Sequence, residues 1–193
     1  MKKSILIAVA CLLFTPVANS SIINFNTPTL VDGIQRVESY IESGVTFTGA
    51  FNHVDAGLGS PSNGTAFMQY DEFSSLNFGM TDNSLMNLVS IDIAELTSSP
   101  VSITFLAQLP GSVMISQTFT TDGISGSGND FETFFFDSAF SGVDYVYIAD
   151  ISGAMNYNFA FDNINVSAVP VPAAVWLFIS GLIGLVGVSR SKK

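Results

Sequence analysis

In Val101-Ser102-Ile103-Thr104-Phe105-Leu106-Ala107-Gln108-Leu109, apolar Val101, Ile103, Phe105, Ala107 and Leu109 fall on every second position, with Ser102, Thr104 and Gln108 between them. Side chains alternate across a strand, so this segment has one face on a core and one in water. The next four residues, Leu109-Pro110-Gly111-Ser112, carry Pro and Gly at the two central places of a type II turn. The chain then returns through a second strand, 113–120. The same alternation sets Val45, Phe47 and Gly49 against Thr46, Thr48 and Ala50, and Tyr157, Phe159 and Phe161 against Asn158, Ala160 and Asp162. Ile164 and Val166 resume it after a slip of phase at Asn163, which a β-bulge would produce. Further strands are expected at 22–25, 65–70, 75–80, 88–96, 131–136 and 143–148. Turn signals fall at 57–64, 81–84, 98–100, 121–129 and 141–142. Asp137-Ser138-Ala139-Phe140 reads as a single turn, and residues 21–168 show no helix of length. About ten short strands at this spacing define an all-β sandwich or barrel.

The architecture expected is a jelly-roll-type antiparallel β-sandwich. Phe159-Ala160-Phe161-Asp162-Asn163-Ile164-Asn165-Val166 resembles the closing strand of lectin-like and carbohydrate-binding-module jelly rolls, and Gly44-Val45-Thr46-Phe47 resembles an early strand of similar exported sandwiches. The resemblance implies a structural Ca²⁺ held at Asp162 and Asn163 with residues of the N-terminal segment, for which Asp32 and Glu38 are the nearest candidates. Solvent exposure or the capping of a turn is the plain alternative for Asp162. Gly126-Ser127-Gly128-Asn129-Asp130 echoes half of a calcium turn, but such turns work in stacked repeats and this copy is single.

Both ends of the chain read as targeting devices. Lys2-Lys3 precede a ten-residue apolar run, Ile5 through Phe14, and Ala18-Asn19-Ser20 supplies the small residues a signal peptidase reads. The expected cut falls between Ser20 and Ser21, with Ala18 three residues before the bond. Ten apolar residues are too few to span a bilayer as an anchor. Cys11 sits inside the apolar run, whereas a lipobox cysteine would close it. At the other end, Ala173 to Val188 contains no charge and Arg190, Lys192 and Lys193 follow. This reads as a transmembrane helix with a cytoplasmic basic tip. A buried amphipathic helix is the alternative, but no polar stripe marks one.

Val169-Pro170-Val171-Pro172-Ala173-Ala174-Val175-Trp176-Leu177-Phe178, with the apolar stretch and basic tip, resembles a PEP-CTERM sorting signal of the V-P-x-P-A-A-x-W-L-F kind. Val171 stands where the founding motif has Glu. The resemblance implies a bacterial protein exported across the inner membrane and cut near the Pro motif by an exosortase-type membrane protease. It further implies association with exopolysaccharide or biofilm. The chain thus divides into a signal peptide (1–20), an ectodomain (21–168) and a sorting segment (169–193).

Removing both ends changes the composition. Five of the six basic residues go with them, and sixteen acids against the single Arg36 leave the ectodomain near −15, against −10 for the whole chain. Such a surface repels nucleic acid and anionic lipid and attracts divalent cations, while also serving plain solubility. The only cysteine leaves with the signal, so no disulfide can form within the ectodomain.

His53, the sole histidine, cannot build a zinc site or a Ser-His-Asp triad by itself, and reads as a strand or loop residue. The acidic neighbours Asp71/Glu72, Asp92/Glu95 and Asp130/Glu132 permit a two-carboxylate glycosidase by residue type alone. Tyr40, Tyr70, Tyr145, Tyr147 and Tyr157 are the residues that could stack on sugar rings, since Trp176, the only tryptophan, lies in the sorting segment. Seventeen Phe residues read mainly as core, with Phe134-Phe135-Phe136 forced to put a ring on the wetter face. Two functions follow. The first is a non-catalytic surface or matrix protein. The second is a carbohydrate-binding module, calcium-dependent if the metal is held. A glycan-cleaving enzyme stands third.

Overall fold

The computed structural model describes residues 20–26, 33–56, 58, 61, 63–70, 76–124, 130–153, 159–169 and 178. Within them run eleven strands: β1 (Ser20–Ile23), β2 (Ile34–Glu42), β3 (Val45–Val54), β4 (Phe67–Tyr70), β5 (Asn77–Met80), β6 (Met86–Glu95), β7 (Val101–Leu109), β8 (Val113–Thr120), β9 (Glu132–Phe135), β10 (Tyr145–Gly153) and β11 (Phe159–Ala168). Every pairing is antiparallel, and the path runs β8-β7-β10-β5-β3-β4-β11-β6-β9, with β1 on β11 and β2 on β3.

β3 turns this path into a sandwich. Its first half, Val45–Thr48, pairs with β5, and its second half, Phe51–Val54, with β4. One long strand therefore joins two layers, β8-β7-β10-β5 and β4-β11-β6-β9. The bend sits at Gly49, whose φ of 135° is closed to ordinary side chains. Opposite it, the β2–β3 ladder slips between Val37 and Ser39. A bulge at a corner bends a strand between sheets without breaking its hydrogen bonding. The same slip hides β2 from a period-two reading, because buried Val37 and Tyr40 fall three residues apart.

The two ends of the path close on each other. Phe119 of β8 stacks on Phe134 of β9 at 5.0 Å and meets Phe136 at 5.0 Å, while Phe105 of β7 meets Phe136 edge-on at 5.4 Å. Gln117 donates to the Phe135 carbonyl (3.2 Å) and accepts from the Asp137 amide (3.0 Å). The sandwich thus approaches a barrel. At the other end of the interior, Phe25, Phe47, Phe78 and Phe161 form a chain of ring contacts at 5.2–5.7 Å. Each fully buried Phe contributes roughly 1.5–3 kcal/mol of transfer free energy, so these rings supply much of the adhesion between layers.

Several sequence details take definite form. The slip at Asn163 is a bulge against β6, with Asn163 at φ 46°. The 109–113 connection is longer than a plain type II turn: Gly111 (φ 83°) is followed by Ser112, also left-handed (φ 63°). Ser138–Phe140 is one 3-10 turn capped by Asp137, whose carboxylate accepts from the Ala139 amide. Ser20 pairs with Ser167 and donates to Asn165 Oδ1 (2.7 Å). A cut after Ser20 would remove the first rung of β1 and leave Ser21–Ile23 in place. Ser20–Val169 form one compact unit. No helix among the described residues is long and apolar enough to cross a membrane. Apart from Ser20 and Phe178, the segments read as signal peptide and transmembrane helix, including Ala18, Pro170, Val171, Pro172, Ala173, Ala174, Trp176, Arg190, Lys192 and Lys193, lie outside those residues.

Candidate functional site

Burial sorts the tyrosines. Tyr40 and Tyr70 are core residues, 5% and 8% exposed, stacked on His53 and Phe159. They cannot meet a ligand. Tyr157 lies outside the described residues. Tyr145 and Tyr147 stand two apart on β10, with Val146 and Ile148 buried between and after them. Their rings are 6.1 Å apart with 33° between planes. Tyr145 donates its hydroxyl to Gln108 Oε1 (2.8 Å), its cross-strand neighbour on β7. On the other side Tyr145 opposes Gly79 of β5 and Tyr147 opposes Asn77. A Cβ at Gly79 would lie 3.0 Å from the Asp144 carbonyl and 3.3 Å from Tyr145 Cβ, so a bare backbone lets Tyr145 sit close.

Around this pair the outward positions are Ser102, Thr104, Leu106 and Gln108 on β7, Met114, Ser116, Thr118 and Thr120 on β8, and Thr46 and Thr48 on β3. None of these side chains carries charge. Hydroxyls pair across the strands, Ser102 with Thr120 (2.7 Å) and Thr104 with Thr118 (2.8 Å). The next acid along β10, Asp150, comes after a bulge, in register with Thr104.

A second polar group lies on the other layer. Asp162 is fully buried on β11, opposite Asp92 of β6. Its Oδ2 accepts from Asn63 Nδ2 (2.6 Å) and Thr65 Oγ1 (2.9 Å), and its Oδ1 from the Asn163 amide (2.7 Å). Asn163 Nδ2 donates to Asp92 Oδ2 (2.9 Å). Burial pushes the Asp162 carboxyl up to about 6, against the pull of these donors. Among the described residues, the side-chain partners of Asp162 and Asn163 are Asn63, Thr65 and Asp92. Glu38 is exposed on β2 and is not among those partners, and Asp32 lies outside the described residues.

A third group unites residues that sequence spacing keeps apart. Glu95 ends β6, Asp122 follows β8, and Glu132 opens β9; one carboxylate oxygen of each lies within 4.8 Å of the others. Of the acidic neighbours read from sequence, Glu95 and Glu132 thus belong to one group, Asp92 to the group around Asp162, and Asp71/Glu72 lie outside the described residues. Asp122 was not singled out, and no local pattern marks it: only the β7–β8 hairpin carries it back to Glu95.

His53 is structural. It is 3% exposed on β3 and donates Nε2–H to the Phe25 carbonyl at 2.8 Å, tying the end of β1 to the sheet.

No protein-family model and no curated protein matches this chain. Solved structures with a similar backbone include a family 29 carbohydrate-binding module from Piromyces equi, 14% identical, covering 79% of this chain and 91% of that one, with a TM-score of 0.41. Another is the family 11 carbohydrate-binding module from Clostridium thermocellum in complex with a β-1,3-1,4-mixed-linked tetrasaccharide, 11% identical over 79% of this chain and 96% of that one, with a TM-score of 0.36. Likeness at this level assigns no activity.

Proposed function

We propose that this chain is an exported, non-catalytic protein of the cell surface or extracellular matrix whose jelly-roll ectodomain holds a neutral polysaccharide on the Tyr145–Tyr147 face. The observation that carries this reading is the composition of that face. In a domain with sixteen acids, two outward tyrosines stand among mostly hydroxyl and amide side chains, with no charged residue on β5, β7 or β8. Aromatic rings offer an apolar surface with a polar tip. That suits the C–H face of a sugar, while Gln108, Asn77 and the threonines meet its hydroxyls. The acidic remainder repels anionic polymers, which favours an uncharged glycan.

Targeting completes the reading. Residues 1–20 direct export and signal peptidase cuts at Ser20–Ser21. The tail from Val169 to Lys193 holds the precursor in the membrane until an exosortase-type protease acts at the Pro motif, leaving the ectodomain with extracellular polysaccharide. The intact mass of the protein from its native host tests this half, since both cuts would appear in it. Among the described residues, the Glu95–Glu132 pair does not suit hydrolysis, because Glu95 is buried away from any bound chain. Glu95 and Glu132 approach within 4.8 Å, and Glu95 is 1% exposed. Glycosidase pairs stand about 5–9.5 Å apart around an accessible bond.

The binding test is retention of the full chain, in nonionic detergent, by insoluble or gel-embedded neutral polysaccharides. Tyr145→Ala with Tyr147→Ala should weaken retention at least about tenfold, at roughly 1 kcal/mol or more for each lost ring contact. Retention unchanged in the double variant would move the site elsewhere. A wild-type protein retained by no glycan would leave a purely structural matrix role.

A further inference from the structure

Glu95 is a buried carboxylate that no described residue holds. It is 1% exposed, and neither Oε1 nor Oε2 has a hydrogen-bond partner among the described residues; Thr97 Oγ1, two residues on, has none either. Buried polar atoms are nearly always paired, so two bare oxygens on one carboxylate point to a missing partner. The missing partner is not a basic side chain: the ectodomain's only Lys or Arg is Arg36, on β2, whose ladder partner is Asn52 of β3. The neighbours are acidic instead. Asp122 and Glu132 bring one oxygen each to within 4.8 Å, and Asp130 adds further negative charge beside Glu132.

The surroundings fix these carboxylates in place. Asp122 follows Thr121, which exchanges two hydrogen bonds with Val101, from its amide to the Val101 carbonyl (3.1 Å) and from the Val101 amide to Thr121 Oγ1 (3.0 Å). The next residue, Gly123 at φ 81°, is pressed on Pro100, where a Cβ would lie 2.5 Å from the ring. Glu132 is anchored by pairing with Ile93, and its Oε1 accepts from the Asp122 amide at 2.9 Å. The group therefore sits at the seam where β8 closes on β9.

We propose that Glu95, Asp122 and Glu132 bind a calcium ion that staples this seam. All the available donors are hard oxygens, which excludes a zinc-type site, and the only imidazole is engaged with the Phe25 carbonyl. Oxygens within 4.8 Å of one another can share one Ca²⁺ at about 2.3–2.6 Å, and calcium accepts the irregular, partly hydrated coordination that three carboxylates provide. Mg²⁺ demands near-octahedral ligands at about 2.0–2.1 Å and gives up water reluctantly, so it suits the site less. Asp162 is not this site: both its oxygens already accept from protein donors.

The test uses the full chain in nonionic detergent, stripped with EDTA and melted against increasing CaCl₂, with MgCl₂ in parallel. Calcium at about 100-fold over its Kd should raise the melting temperature by roughly 5–10 °C. Glu95→Gln keeps the shape and removes the charge. It should melt in EDTA no lower than the wild type and lose nearly all the calcium response, and Glu132→Gln should weaken that response at least about tenfold. A wild-type melting temperature indifferent to calcium and EDTA would overturn the proposal. So would a shift that both variants keep, which would place the ion elsewhere. Either result leaves the Tyr145–Tyr147 reading untouched, because no residue is shared.

Discussion

Asp162 and Glu95 are both buried carboxylates near the same pair of strands, β6 and β11, yet the protein treats them oppositely. Asp162 is met by Asn63, Thr65 and the Asn163 amide, and ties the 63–65 segment to the bulge in β11. Glu95 is met by no protein donor among the described residues and faces two more acids. A carboxylate with its donors in place is a structural tie, whereas one that lacks them and keeps acidic company needs something from solution. Burial alone therefore does not mark a site, and the hydrogen-bond account around the buried group does.

This contrast can be broken in several ways. The largest effect expected is on pH dependence. In the fold Asp162 titrates near 6, above its ordinary 3.8. The protonated form is favoured in the native state, so the contribution is full below about pH 4 and is lost as pH rises through 6, by about 3 kcal/mol in all. Urea unfolding in EDTA should show this fall between pH 4 and 7, and Asp162→Asn should remove most of it. Glu132, also raised by burial, leaves a smaller slope of the same sign. A stability that climbs over that range would show that the donors outweigh burial.

Next in size, Glu95→Gln should gain about 2 kcal/mol in EDTA, since it replaces a buried carboxylate that no described donor meets and that faces two more acids. A loss of that size would mean that Glu95 already has a partner. Asn63→Ala should cost roughly 1–2 kcal/mol by taking a donor from Asp162, with no change in calcium response. The smallest effect on calcium binding is expected at Gly123→Ala, which also strains the fold because φ there is 81°. A methyl group there must push away from Pro100 and carry Asp122 with it, weakening calcium about tenfold, or about 1.4 kcal/mol.

Much of the fold could be read from alternation alone. The β7–β8 hairpin, the closing strand and its bulge at Asn163 follow from period two and one slip of phase. β2 could not be read, because its own bulge puts Val37 and Tyr40 on one face at a spacing of three. Nor does any sequence signal announce that β3 belongs to two layers; Gly49 marks the bend only once both partner strands are known. The tyrosine face was half legible. Val146 and Ile148 are apolar, so alternation sends Tyr145 and Tyr147 outward, whereas Tyr40 and Tyr70 needed the packing to show them as core. The acidic group was illegible, since Glu95, Asp122 and Glu132 meet only through β7–β8 and β6–β9 pairing.

Neither carboxylate group shares a residue with the tyrosine face, so the function can be tested separately from the metal. Affinity electrophoresis of the full chain through gels containing neutral polysaccharide, with and without EDTA, is the most direct measurement. The wild type should be retarded in at least one such gel, and Tyr145→Ala with Tyr147→Ala should run as in a gel without glycan while keeping its calcium-dependent melting. A double variant retarded as strongly as the wild type would contradict the account.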